Sequence, residues 1–156
     1  MLKDIFIDNN IAKNFSNPLD IEYKKFIQWL MRYDVQEPSK NAYLVVSQKL
    51  IAEYQRTTRN SFSPTNIAII IDRLTREGRL IKISNQEIKD FKQKYFIKKV
   101  IRKLTCNHED WEHIPVVLLS HRKYALSLDD KFIHDLRNFP GFNVLIEKRP
   151  EDLSYE

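Results

Sequence analysis

The sequence contains little cysteine and little glycine, and each shortage excludes a class of functional site. Its single cysteine, Cys106, cannot form a disulfide within the chain, and it excludes every zinc site that needs two or more thiolates. Its two glycines, Gly78 and Gly141, exclude the phosphate-binding loop GxxxxGK(S/T) and the dinucleotide-binding fingerprint GxGxxG. Any site for a metal ion or a phosphate group must therefore be built from other residues.

Long apolar segments are also missing. No run approaches the roughly 20 apolar residues of a membrane span, and the N-terminus lacks the pattern of a signal peptide. The 156 residues are 42% apolar and 30% charged, which is typical of one globular domain with a core of its own. We therefore expect a soluble, cytoplasmic protein without a membrane partner.

Positive charge is concentrated in one part of the chain. Residues 89–103 contain seven basic residues and one acid, a net charge of +6, whereas the whole chain carries only +5. Such a basic segment can bind a polyanion by releasing counterions from its phosphates, or it can be the solvated face of a helix. The sequence alone leaves both interpretations open.

Five short apolar segments predict β-strands. We place them at residues 1–9, Tyr43–Ser47, Leu80–Ile83, Tyr124–Leu128 and Phe142–Ile146. Helical patterns separate these segments, and such alternation favours a central, mainly parallel sheet with helices on both faces. The sequence therefore predicts a single α/β domain over residues 1–146, followed by a charged and loosely held tail at residues 147–156.

Helix signals lie between the predicted strands. Ser47 is a good N-cap for the helix after the second strand. Ser63 is the predicted N-cap of a helix that has Pro64 in its first turn. Ser84 or Asn85 is predicted to cap one long helix that runs through the whole basic segment. Further helices are predicted after Pro18, over Ile114–His121 and up to Arg137.

Acidic residues follow several of the predicted strands. Asp8 ends the first strand, Asp129 ends the fourth, and Glu53 lies about two helical turns after the second. Asp110 opens the region that leads into the helix before the fourth strand. Each residue alone suits an ordinary turn, cap or helix surface. Together they would lie beyond the carboxyl ends of the strands, where ligands bind, and would favour a divalent cation able to activate water on a phosphodiester.

Four segments resemble the PIN-domain nuclease superfamily, and they occur in the family's order. IFIDNN at residues 5–10 resembles its first strand with the D-x-N signature. VVSQKLIAEYQR at residues 45–56 is similar to the strand and helix that carry its second acid. IPVVLLSH at residues 114–121 is similar to the helix that starts beside its third acid. ALSLDDKF at residues 125–132 is similar to its late T-x-D-x-x-F segment, with Ser127 in place of threonine.

This resemblance implies a Rossmann-like PIN-type domain whose four acids bind Mg²⁺ or Mn²⁺ for cleavage of RNA. Asp8, Glu53 and Asp129 would be the first, second and fourth of these acids. Asn10 would match the asparagine of the D-x-N signature, which helps to hold the loop of the first acid.

Two positions depart from the family pattern. Asn9 stands where threonine or serine is usual, and Trp111 stands at the expected position of the third acid. Asp110 and Glu112 flank this tryptophan, and either carboxylate could serve. We favour Asp110, because an acid that precedes a helix is well placed, whereas Glu112 crowds His113.

Two functions of different classes follow from these residues. The first is a metal-dependent ribonuclease (an endonuclease) whose cation is held by Asp8, Glu53, Asp110 and Asp129. The resemblance implies that such a protein is the toxin of a toxin–antitoxin pair, forms homodimers and is silenced by an antitoxin protein. The second is a catalytically incomplete module that binds RNA or a protein partner without cleavage, which the tryptophan at the third position favours. A phosphatase or another metal-dependent hydrolase would need the same carboxylates.

Overall fold

Five β-strands form the centre of the molecule, and eight α-helices connect and cover them. The computed structural model describes all of residues 1–156. The strands are β1 (Lys3–Ile7), β2 (Ala42–Ser47), β3 (Leu80–Ile83), β4 (Tyr124–Leu126) and β5 (Leu145–Glu147). The α-helices are α1 (Asn9–Ala12), α2 (Ile21–Met31), α3 (Gln48–Thr58), α4 (Ile67–Arg76), α5 (Asn85–Tyr95), α6 (Lys98–Ile101), α7 (His113–Leu118) and α8 (Asp130–Arg137). Short 3₁₀ helices cover Lys13–Ser16, Pro38–Lys40, His108–Glu112 and Pro150–Asp152. None of the helices has the length and apolar character needed to cross a lipid bilayer.

The strands lie in the order β3-β2-β1-β4-β5, and every neighbouring pair is parallel. The chain moves outward from β1 to β3 and then returns to the other side of β1 for β4 and β5. Because parallel crossovers are right-handed, the helices before and after β3 cover opposite faces of the sheet. Helices α2, α3 and α4 pack on β2, whereas α7 packs on β1 and β2 beside α5. The predicted α/β fold with a parallel sheet is confirmed.

The middle strand, β1, holds three helices in place around its carboxyl end. Its residues Ile5, Phe6 and Ile7 have no exposed surface. The ring centroid of Phe6 lies 5.8 Å from that of His113 at the start of α7 and 6.0 Å from that of Phe132 on α8. The backbone carbonyl of Ile7 accepts a hydrogen bond from the hydroxyl of Tyr54 on α3. Helices α3, α7 and α8 therefore converge where β1 ends.

Two of the predicted helix caps are present, and one is wrong. The Ser47 hydroxyl accepts a hydrogen bond from Leu50 N at 3.1 Å, and Ser84 caps α5 in a reciprocal capping box with Glu87. The prediction that Ser63 and Pro64 open the next helix is wrong, because α4 begins three residues later, with Asn66 as its N-cap. Residues 63–66 instead form a turn stabilised by their own hydroxyl and amide groups.

The prediction of one long basic helix is also wrong. Helix α5 ends at Tyr95, because the ψ of 60° at its C-cap Phe96 lies outside the helical region, and α6 begins at Lys98. The break turns the Phe96 ring into an aromatic cluster, where its centroid lies 6.2 Å from that of Trp111 and 5.9 Å from that of Phe139. Burial of aromatic surface therefore overrides the helical pattern of the sequence.

The last two strands are shorter than predicted. Strand β4 ends at Leu126 rather than at Leu128, because the chain turns there to place Asp129 as the N-cap of α8. Strand β5 begins at Leu145 rather than at Phe142, whose ring packs 5.1 Å from that of Tyr95. The predicted helix over Ile114–His121 is observed one residue earlier and ends at Leu118.

The C-terminal segment is not a loosely held tail, and that prediction is wrong. Residues 145–147 form β5, so the segment begins inside the sheet. Further on, Leu153 and Tyr155 are buried, and the Tyr155 ring packs edge-on against Phe26 at 4.9 Å and lies 4.8 Å from Trp29. The charged composition of this segment hid these two apolar anchors, which attach it to α2.

Candidate active site

The candidate acids lie at the point where the strand order reverses. Strand β1 has β2 on one side and β4 on the other, so the two halves of the sheet separate between β1 and β4. In open α/β sheets this switch point, at the carboxyl ends of the strands, is where ligands bind. Asp8 follows β1 directly and Asp129 comes three residues after β4, so both lie at this edge.

Asp8 is held in place by a backbone donor and a side-chain donor. Its Oδ1 accepts a hydrogen bond from Asn9 N at 2.8 Å, and its Oδ2 accepts one from Ser127 Oγ at 2.7 Å. Burial raises the pKa of Asp8 above its ordinary value, although the Ser127 hydroxyl and the charge of His113 lower it in part; the charge of Glu53 raises it further. The carboxylate is thus costly to keep ionised without a cation.

Asn10 joins the loops that follow β1 and β4. Its Nδ2 donates to Asp8 Oδ2 at 3.3 Å and to Ser127 Oγ at 3.4 Å, and its Oδ1 accepts from Leu128 N at 3.0 Å. Asp129 lies on the second of these loops, where its Oδ1 accepts from Lys131 N at 2.9 Å as the N-cap of α8. One amide side chain therefore fixes the relative position of the two loops that carry the first and fourth acids.

Glu53 reaches the same edge from α3, where a histidine binds it. His113 Nε2 lies 3.1 and 3.0 Å from the two carboxylate oxygens of Glu53. Although burial raises it, the pKa of Glu53 is lowered overall by the hydrogen bond and charge of His113 and by the charges of Lys49 and Arg56. Glu53 is therefore the acid of this group that has its own counter-charge.

The two alternatives for the third acid point in different directions. Burial raises the pKa of Asp110; His113 lowers it in part, and the charges of Asp8, Asp129 and Glu53 raise it further. Asp110 thus lies close enough to the other acids for their charges to act on it. Glu112 instead accepts from Lys92 Nζ at 2.5 Å, and this contact pairs it with α5. Trp111, between them, donates from its indole to the Cys106 carbonyl at 3.3 Å.

The residues at this edge fit a divalent cation in donor chemistry but not in spacing. Carboxylate oxygens are the ligands that Mg²⁺ and Mn²⁺ prefer, and burial raises the pKa values of Asp8 and Asp110, which a bound cation would offset. However, no group of three or more His, Cys, Asp or Glu side chains is arranged closely enough to hold a metal ion. The side chains as placed would have to move together to coordinate one.

His113 belongs to this site, and the sequence reasoning did not assign it. It is the first residue of α7, is 1% exposed, and has a buried Nδ1 without a hydrogen-bond partner. The signal that could have found it is its position directly before the apolar run Ile114–Leu119, at the start of a buried helix. A cavity of about 640 Å³ between α6 and α8 lies elsewhere and contains none of the candidate acids.

One solved structure of another protein has a similar fold. No protein-family model and no curated protein matches the chain. Among solved structures, the chain is similar to one in the crystal structure of VapBC2 from Rickettsia felis bound to a DNA fragment from their promoter. The two are 16% identical, the TM-score is 0.56, and the match covers 94% of this chain and 98% of the other. VapC is a PIN-domain toxin, so the chain shares a PIN-like fold, and the resemblance found in the sequence is confirmed at the level of the fold.

Proposed function

We propose that this protein is a metal-dependent ribonuclease that hydrolyses RNA phosphodiester bonds. The observation that carries the proposal is that Asp8 and Asp129 lie together at the switch point of the sheet, where their charges and that of Glu53 act on Asp110. The pKa of Asp110 responds, after burial and His113, to the charges of Asp8, Asp129 and Glu53. Carboxylates gathered at such an edge favour the binding of a hard divalent cation.

The proposed ligands of Mg²⁺ or Mn²⁺ are Asp8, Glu53, Asp110 and Asp129. When bound, such a cation would supply an activated water and charge stabilisation for the leaving oxygen. Around it, Ser127 and Asn10 orient Asp8 through their hydrogen bonds. His113 competes with the cation for Glu53, because it already binds both carboxylate oxygens.

We further propose that the protein acts as the toxin of a toxin–antitoxin pair, with an antitoxin protein and a second copy of the chain as partners. The support is the fold shared with a chain of VapBC2 over 98% of that chain's length. Because fold alone does not specify function, these partners rest on analogy.

A second candidate function is a module that binds RNA or a protein partner without cleaving it. Two observations favour this alternative. No three potential ligands lie within reach of one metal ion, and Glu53 is engaged by a buried histidine. In this alternative the carboxylates at the switch point remain, but they do not assemble a cation site.

Cleavage of a mixed pool of RNAs tests the two candidates. We expect cutting in Mg²⁺ or Mn²⁺ that stops on chelation and falls at least about 100-fold in Asp8→Asn. Asp72→Asn is the matched control, since this residue is an exposed aspartate on α4 whose side chain is 70% accessible. Thermal melting in Mn²⁺ provides a second readout, because an ion that binds only the folded protein raises its melting temperature. Folded wild-type protein that neither cuts nor gains stability in metal would favour the binding module.

The third acid can be assigned by comparing two neighbouring substitutions. We expect Asp110→Asn to lower cleavage and the metal-induced stabilisation strongly, because Asp110 interacts electrostatically with the other acids. Glu112→Gln should change both much less, because Glu112 pairs with Lys92 on α5. The reverse order of effects would assign the role to Glu112.

A further inference from the structure

A polar groove runs along one side of α5 next to the candidate active site. It has a volume of about 560 Å³, and its walls include Asn85, Lys89, Lys92, Gln93, Phe96 and Glu112. This volume falls within the roughly 300–1,000 Å³ of pockets that hold small organic ligands. From Asn85 to Phe96 the helix rises about 16 Å, so the groove can hold more than one nucleotide.

Two contacts connect this groove to the candidate acids. Glu112, on one wall, directly precedes His113, which binds the Glu53 carboxylate. Asn85, at the end nearest the sheet, donates from Nδ2 to Gln48 Oε1 at 3.0 Å, and Gln48 is the first residue of the helix that carries Glu53. The groove therefore begins at the same edge of the sheet as the candidate acids.

The groove combines cations, amides and an aromatic ring. Lys92 Nζ lies 2.5 Å from Glu112 and 6.0 Å from the ring centroid of Phe96. Lys89 forms no ion pair. Gln93 adds a side-chain amide between the lysines and the half-buried Phe96 ring. The basic segment of net charge +6, residues 89–103, begins within this helix.

We propose that this groove binds a single-stranded segment of the RNA substrate beside the point of cleavage. Lys89 and Lys92 would contact phosphates, Phe96 would stack on an unpaired base, and the amide of Gln93 would contact a base edge. Proteins recognise single-stranded RNA through such combinations of cations and aromatic rings. An acidic peptide matches the lysines but leaves the aromatic ring and its position beside the acids unexplained. The inference rests on the proposed ribonuclease function, because it names the substrate as RNA.

Binding of a fluorescein-labelled, unstructured 12-nucleotide RNA tests the proposal by fluorescence anisotropy. All measurements are made in EDTA, so that cleavage does not affect the readout. We expect Lys89→Gln to weaken binding about threefold to tenfold and to lower the slope of log affinity against log salt by about 0.7, the loss of one phosphate contact. We expect Phe96→Leu, which keeps an apolar side chain but removes the stacking ring, to weaken binding about tenfold.

Matched substitutions outside the groove serve as controls. Lys99→Gln removes the same charge from the basic segment at an exposed residue beside the other cavity. Phe142→Leu removes a half-buried ring from the same aromatic cluster, 5.6 Å from Phe91. Equal effects of Lys89→Gln and Lys99→Gln, or of Phe96→Leu and Phe142→Leu, would overturn the proposal. Displacement of the RNA by poly-glutamate at the concentration at which unlabelled RNA displaces it would also overturn it, in favour of an acidic peptide.

A photo-crosslinking measurement does not depend on variants. The same RNA with 4-thiouridine should, on irradiation, form adducts within residues 85–96, and adducts confined to other segments would contradict the groove. The outcomes also separate the two proposals. Groove-dependent binding without cleavage in metal would leave this inference standing and refute the ribonuclease. Cleavage with unchanged KM in Lys89→Gln and Phe96→Leu would refute the inference and leave the ribonuclease standing.

Discussion

Strand β1 carries an aspartate near each end, and the two have opposite surroundings. Asp4, on the second residue of the strand, is completely buried and accepts hydrogen bonds from the backbone N–H groups of His121 at 2.8 Å and Arg122 at 2.9 Å. Asp8, just beyond the strand, depends on the side chains of Ser127 and Asn10 and on one backbone N–H. Other carboxylates act on Asp8 as well, since the charge of Glu53 raises its pKa.

This difference distinguishes a carboxylate that only stabilises the fold from one that can bind a ligand. Backbone donors are fixed by the fold and remain with their acceptor, so Asp4 has no capacity to bind another ligand. Asp135 resembles Asp4 in this respect, because its oxygens accept from the backbone N–H groups of Thr105 and Cys106. Side-chain donors such as the Ser127 hydroxyl can rotate away and exchange partners, which a ligand-binding carboxylate requires.

The largest effect on stability is expected from Asp4→Asn. The amide keeps one acceptor oxygen but turns an NH₂ group toward a second buried N–H, which leaves that donor without a partner. We expect a loss of about 3 kcal/mol of unfolding free energy, and a melting temperature lowered by about 6–12 °C for a domain of this size. The exposed control Asp72→Asn should change stability by less than about 1 kcal/mol. An unchanged melting temperature in Asp4→Asn would contradict the assignment of Asp4 as a structural carboxylate that differs from Asp8.

Tyr155→Ala tests how much the C-terminal segment stabilises the structure around the amino end of β1. The carbonyl of Tyr155 accepts from Arg122 Nη1 at 2.8 Å, and Arg122 Nε donates to the Asp4 carbonyl at 3.2 Å. Removal of the ring that packs on Phe26 and Trp29 should lower the unfolding free energy by about 2 kcal/mol, measured by urea denaturation. Phe62→Ala is the control, since this ring is 98% exposed and its removal should have no measurable effect.

Asp8→Asn should stabilise the protein at pH 7, the opposite sign to Asp4→Asn. Because burial holds the pKa of Asp8 above its ordinary value of 3.8, the folded state binds the proton more tightly than the unfolded state. Wild-type stability therefore falls as the pH rises from 3.8 through the folded-state pKa, and the asparagine variant escapes this loss. We expect the melting temperature of the variant to exceed that of the wild type at pH 7, and the difference to disappear below the ordinary pKa. Asp8→Asn that melts below the wild type at pH 7 would contradict this explanation.

The smallest effect concerns the pKa of Glu53. His113→Gln keeps a donor that can reach the carboxylate but removes the charge that lowers the pKa of Glu53. Because burial raises this pKa and would then be less compensated, we expect the pKa of Glu53 to rise. A titration followed by ¹³C NMR of the glutamate carboxyl groups measures this shift. His134→Gln, at an exposed position on α8, should leave the Glu53 titration unchanged. No difference between the two variants would mean that His113 does not supply the counter-charge.

The sequence was sufficient to predict features that depend on neighbouring residues. The strand preceding Asp8 and the hydroxyl caps Ser47 and Ser84 follow from local patterns, and the order of the segments gave the PIN-like fold. Contacts between distant residues were not predictable in this way. His113 and Glu53 are 60 residues apart, and Asp4 and Arg122 are 118 apart. No spacing rule connects such pairs before the sheet is assembled.

The pairing of β1 with β4 also determines when the candidate site can form during protein synthesis. Phe6 pairs with Ala125, so one side of the first strand has no neighbour until residues 124–126 have been synthesised and have left the ribosome. The loop that carries Ser127 and Asp129 arrives at the same late stage. A nascent or prematurely terminated chain therefore lacks the partner of Asp8. The candidate site can therefore assemble only after the segment through Asp129 has been synthesised.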